Sequence, residues 1–251
     1  MKYTYLLVNF FTILVPFIFS FHPRIRFHKT WPAFFTSSLI VGTAFVIWDA
    51  VFTRAGVWSF NERYVTGVEW LGLPLEEFLF FICIPYACVF TYYCLDKFLK
   101  LDWQARTEKI FVVLFAIFLF VMGMIFIDRL YTSVTFISSA IVVLVLRFVL
   151  KVSWLGKSFS VYALLLLPFL IVNGVLTGTG LEQPVVIYNN AENLRIRILT
   201  IPVEDVIYGY ELIVLHLFFY SKLTDNRPSE NKTGQQLFFL GIPKREKAGR
   251  T

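Results

Sequence analysis

GLPLEEFLFF, residues 72–81, sets Glu76 and Glu77 at the mouth of a long apolar run. TIPVEDVIYG, residues 200–209, sets Glu204 and Asp205 in the same places after Pro202. One acid pair stands in each half of the chain. Buried charge is expensive, so ionisable residues inside apolar spans are candidates for function. Their recurrence points to an internal duplication.

The surrounding chain is too apolar for an ordinary soluble domain. Of its 251 residues, 57% are hydrophobic and 16% charged, the composition of an integral membrane protein. Seven runs are candidate spans, at residues 3–20, 32–52, 74–95, 109–127, 130–150, 157–176 and 201–220. Each is expected to cross a hydrocarbon layer of about 30 Å. The net charge of +6 does not point to nucleic acid, because Lys and Arg gather in short loops and in the C-terminal tail. Loops 22–31, 96–109 and 151–157 and the tail hold sixteen, against six on the other side. That bias predicts an outer N-terminus, a cytoplasmic C-terminus and acid pairs toward the outer face of the cell (inner) membrane. The first run lacks a small-residue cleavage site and reads as a retained helix.

The duplication extends beyond the acids. WDAVFTRAG places Asp49 seven residues before Gly56, and VNGVLTGTG places Asn173 seven before Gly180. WSFN, ending at Asn61, matches VIYN, ending at Asn189. RIRFHKTW after the first run corresponds to KVSWLGKSF after the fifth. The expected fold is an all-α integral membrane protein of seven transmembrane helices, two parallel three-helix repeats plus a linker helix (3+1+3). Its parts are residues 1–95, the linker 96–130, residues 131–222 and a basic cytoplasmic tail, 223–251. An odd linker helix keeps the halves parallel, related by a pseudo-twofold axis along the membrane normal. The loops GVWSFNERYVTG and EQPVVIYNN alternate polar and apolar residues and are expected to form short strands over the acids.

Pro-x-Glu-Glu is also an ordinary way to begin a helix. Two copies, each with a matched polar residue, say more. Carboxyls in an apolar site are able to hold and move protons. The candidate catalytic residues are Glu76, Glu204, Glu77, Asp205 and Asp49. Glu76 and Glu204 are expected to react and Glu77 and Asp205 to support them, since neighbours on a helix point about 100° apart. Trp48, Asn61, Asn173, Tyr208 and Glu211 are candidate substrate contacts. Aromatic faces attract a cation by about 0.5–2 kcal/mol. The substrate has to be lipid-soluble. Cys83, Cys88 and Cys94 share one span and read as small core thiols. His22, His28 and His216 have no metal-ligand spacing, and no phosphate loop or dinucleotide turn is visible. No metal and no cofactor are expected.

PLEE and PVED, WDA with the following GVWSFN, FHKTWPA and PYACVFTY together resemble the membrane lycopene cyclase family over about residues 1–222. That family occurs as two small subunits in some bacteria and as fused chains in other bacteria, archaea and fungi. The resemblance implies redox-neutral cyclisation of the ψ-ends of lycopene to β-ionone rings, giving β-carotene through γ-carotene. It implies a carotenoid substrate within the bilayer, lipid around the protein, and other carotenoid-pathway enzymes as candidate partners. Two other classes fit seven helices. A SWEET-like transporter of small solutes shares the 3+1+3 layout, but this chain has no Pro-Gln pair. A retinal protein needs a lysine inside its last span, and none occurs before Lys222.

Overall fold

A computed structural model describes residues 2–225. The basic tail expected at 223–251 therefore lies, from residue 226 on, outside the described residues. The helices are α1 (Thr4–Phe19), α2 (Trp31–Arg54), α3 (Leu75–Phe98), α4 (Ala105–Ile125), α5 (Leu130–Leu144), α6 (Leu155–Leu176) and α7 (Val203–Asp225). A 3-10 turn, Phe27–Thr30, leads into α2, and a π turn, Val145–Val149, extends α5. Among the described residues, six short strands lie between the helices: β1 (Trp58–Phe60), β2 (Glu69–Trp70), β3 (Leu73–Pro74), β4 (Val186–Tyr188), β5 (Arg197–Ile198) and β6 (Ile201–Pro202).

Six of these helices are long and apolar enough to cross a membrane. The remaining one, α1, is apolar but has 16 residues, which gives roughly 24 Å at 1.5 Å per residue. The expectation that every run is long enough is corrected there. Ser20 ends α1 through hydrogen bonds back to Pro16 and Phe17, and a 3-10 turn follows. Leu39, Leu114, Leu167 and Ile171 point outward, half or more exposed. Such an apolar outer surface belongs in lipid, and the chain is a multi-pass membrane protein.

The two halves repeat in atomic detail. The Thr66 amide donates to Glu76 Oε1 at 2.7 Å, and the Leu194 amide donates to Glu204 Oε1 at 2.7 Å. The Asn61 amide meets the Val185 carbonyl at 2.9 Å, and the Asn189 amide meets the Val57 carbonyl at 2.8 Å. β2 pairs with β3 just before α3, and β5 pairs with β6 just before α7. The turn of each hairpin needs a left-handed residue. Leu71 (φ 57°) and Leu199 (φ 58°) supply it, although leucine disfavours that region. A shared strained residue is hard to explain except by common descent of the halves.

Pro74 and Pro202 end those hairpins rather than occupying the first helical turn. Pro74 is extended, with ψ 151°, and α3 starts at Leu75. The expected lid strands form: β1 pairs antiparallel with β4, with Ser59 opposite Ile187 and Trp58 opposite Tyr188. The offset that carries Glu76 onto Glu204 also carries Ser59 onto Ile187, so the register maps onto itself and this pair marks the centre of the duplication.

α4 packs along α5. Gly123 permits the approach, for a Cβ there would lie 2.7 Å from Ile137 Cγ1. At the end opposite the acids, buried Glu108 accepts from the Gly156 amide at 2.7 Å and pairs with Arg147 Nε at 3.0 Å.

Candidate active site

The first turns of α3 and α7 aim their paired acids in different directions. Glu76 and Glu204 are fully buried and turn back toward the loops that precede their helices. Besides the loop amides above, Glu204 Oε1 accepts from Thr132 Oγ1 at 2.7 Å. These two carboxyls fasten loop to helix. Glu77 and Asp205, one residue on, face inward. Tyr5 donates its hydroxyl to Glu77 Oε2 at 2.5 Å, and Tyr131 donates to Asp205 Oδ1 at 2.6 Å. Tyr5 opens the first half and Tyr131 the second, so this pairing is duplicated too.

Symmetry ends at the next residue. Asn173 Nδ2 donates to Asp205 Oδ2 at 2.7 Å, and the Tyr188 hydroxyl donates to the same oxygen at 2.9 Å. With Tyr131, that makes three donors on one carboxyl. Burial, and then the neighbouring Asp205 charge, push the Tyr188 phenol well above its ordinary value. It stays protonated and stays a donor. In the first half Asp49 stands where Asn173 stands in the second. Asp49 shares one cavity wall with Glu77 and Trp58, and its Oδ2 is buried without a hydrogen-bond partner among the described residues.

Glu77, Asp49 and Asp205 line one slot of about 670 Å³, within the usual range for small-molecule sites. Its wall follows α3 from Glu77 to Thr91, a length of roughly 21 Å along the helix. The slot is long, narrow and apolar, with its carboxyls at one end. Tyr5, Trp58, Tyr131, Tyr188 and Tyr208 surround that end. The β1–β4 ribbon carries Trp58 and Tyr188 over it. Along its length the slot is bounded by α1 and α6. Leu7, Phe11 and Ile171 line it and are 50%, 63% and 65% exposed, so it opens sideways between those helices.

The sequence candidates divide accordingly. Glu77, Asp205, Asp49, Asn173 and Tyr208 meet at the slot. Glu76 and Glu204 do not line it. Trp48 packs behind, stacked on Phe45 at 5.5 Å and edge-on to Tyr208 at 5.4 Å. Asn61 ties together the loops at the acid end, donating to Gln183 Oε1 at 3.0 Å and the Pro184 carbonyl at 3.2 Å. Glu211 accepts from Ser138 and Ser139 of α5 at 2.8 and 2.5 Å, away from the slot. Reading by motif missed Tyr5, Tyr131 and Tyr188. For the first two the signal was present: Tyr5 and Tyr131 stand at matching places near the start of the first and fifth apolar runs.

A search among curated proteins and a search among solved structures return no match. A family model described as lycopene cyclase matches residues 2–95 and again residues 128–223. The two matched stretches are the two halves that repeat in the structure, and each holds one acid pair with one member braced and the other facing the slot. The chain belongs to the lycopene cyclase family.

Proposed function

We propose that this carotenoid cyclase converts the ψ-ends of lycopene to β-ionone rings, through γ-carotene to β-carotene. The observation that carries the reading is a long apolar slot, open to lipid, with three carboxyls at its far end. A rod-shaped hydrocarbon fits such a slot end-first, and its terminal double bonds come to rest beside the carboxyls.

The chemistry asks for one proton in and one proton out. A proton adds to the terminal C1=C2 bond, at C2. The C5=C6 pair then attacks C1 and closes the ring. Loss of a proton from C6 leaves the ring double bond between C5 and C6, and no electrons are gained or lost. Glu77 with Asp49 is the donating pair. Asp49 has a buried oxygen without a partner among the described residues and lines the slot with Glu77, and a proton on that oxygen is the one the pair has to give. Asp205 is the receiving side. Three donors already fix its orientation, and its charge faces the cation formed in the slot. Tyr131, Tyr188 and Tyr208 add ring faces around that cation. Glu76 and Glu204 hold the acid-bearing turns in place.

In the membrane we place the acid end outward and the basic loops in the cytoplasm, as the distribution of Lys and Arg requires. The helices then form two parallel threes about a pseudo-twofold axis through Ser59 and Ile187, with α4 as linker. The substrate arrives through the bilayer and enters between α1 and α6. Expression in a lycopene-accumulating host, with pigments separated by chromatography, tests the function. Cyclic carotenes are expected. Unchanged lycopene, with the protein shown to be in the membrane, refutes it.

A further inference from the structure

The slot has a counterpart position in the duplicated fold, and that position is filled. The offset that takes Glu76 to Glu204 carries α3 onto α7 and, reversed, α7 onto α3, while the offset that takes Asp49 to Asn173 carries α2 onto α6. At the slot stand Gly209, Ala87, Cys88 and Val172. Their counterparts are Phe81, Leu215, His216 and Trp48. Each of these four replacements is larger, while other wall positions map onto smaller residues, Leu165 onto Val41 and Pro168 onto Ala44. Phe81 and His216 are buried, and Trp48 and Leu215 pack in the same cluster as Phe81 with Phe45 and Tyr208. The helix face that leaves room on one side of the axis is occupied by rings on the other.

Gly209 has a specific place in this difference. A Cβ there would lie 2.8 Å from the Tyr162 hydroxyl, which itself donates to the Val206 carbonyl at 2.7 Å. The absence of a side chain keeps Tyr162 close to α7, and both residues form the slot wall.

We propose that the duplication has kept one substrate slot, bored by Ala87 and Gly209, and that a two-ended polyene is processed one end at a time. This rests on the cyclase reading. It adds that the half-converted, monocyclic molecule leaves sideways between α1 and α6. It then re-enters with its other end foremost, because the second half offers no room to hold that end.

Two measurements test it in membranes that convert lycopene, so a failure of the cyclase reading is seen separately as no conversion at all. The first gives the wild-type protein unlabelled lycopene together with isotopically labelled monocyclic γ-carotene. One slot predicts that label enters the bicyclic product in proportion to its share of the monocyclic pool, from the earliest times. Unlabelled bicyclic product, formed while the added monocyclic carotene stays untouched or is drawn in only later, overturns the proposal. The second compares Ala87→Leu, which copies the filled side, with Leu215→Ala, which empties it, at matched protein abundance. One slot predicts a loss of conversion of about tenfold or more for A87L and less than about twofold for L215A, since only the first narrows the working site. A loss near one half for A87L, as expected when a second slot keeps working, overturns it.

Discussion

At the scale of single residues, direction matters more than charge. Glu76 and Glu77 are neighbours, yet one fastens a loop and the other faces the slot. Glu76→Gln keeps an acceptor for the Thr66 amide, and conversion of lycopene is expected to stay within about threefold of wild type, because the proposed acid-base groups are elsewhere. Glu76→Leu leaves that amide unpaired, at a cost of about 1–3 kcal/mol, and a lower melting temperature in detergent is the measurement that shows it. Asp49→Asn gives the first half the pattern of the second. An amide cannot hand over a proton, so conversion is expected to fall about 10²-fold, with normal abundance in the membrane. Conversion near wild type would remove Asp49 from the donating pair. The two acid pairs and their partners Asp49 and Asn173 were legible in the sequence because they recur. Which member of each pair faces inward was not, since two adjacent positions on a helix start are equivalent until the packing is known. The tyrosines were missed for a related reason. One near the start of an apolar run also suits the membrane interface, and its bond to an acid two helices further along the chain is a fact of tertiary structure.

At the scale of elements, the ribbon of β1 and β4 closes the acid end. Its alternating residues and turn-rich flanks were readable as strands. Its pairing across half the chain was not, because nothing local specifies so distant a partner. Ser59 sits at the centre of the ribbon. Ser59→Pro removes a backbone donor and is poorly tolerated inside a ladder. It is expected to lower conversion markedly while leaving the helices inserted, as judged by protease protection of the loops. Where α4 meets α5, Gly123 leaves no room for a side chain against Ile137. Gly123→Leu drives side-chain atoms into Ile137, and a fall in the yield of folded protein is expected, read by size-exclusion chromatography. An unchanged yield would mean that the α4–α5 contact adjusts freely.

At the scale of the whole molecule, a duplicated scaffold carries an unduplicated site. The hydrophobic runs foretold six of the membrane-crossing helices, and the offsets foretold the repeat. The short α1 and the lateral slot were not legible, since both depend on where helices end and how widely they separate. The proposed orientation predicts that a cysteine placed at exposed Glu62 reacts with an impermeant thiol reagent from outside the cell. One placed in the loop at Lys100 should not react until the membrane is opened. The most direct test of the central claim, that carboxyls facing the slot carry protons in the cyclisation, is the turnover of lycopene by Glu77→Gln, at protein levels matched to wild type. A loss of about 10²–10⁴-fold is predicted, the range that a general acid-base group contributes. Turnover near that of wild type would contradict the account, for the slot would then close rings without the proton that Glu77 is placed to move.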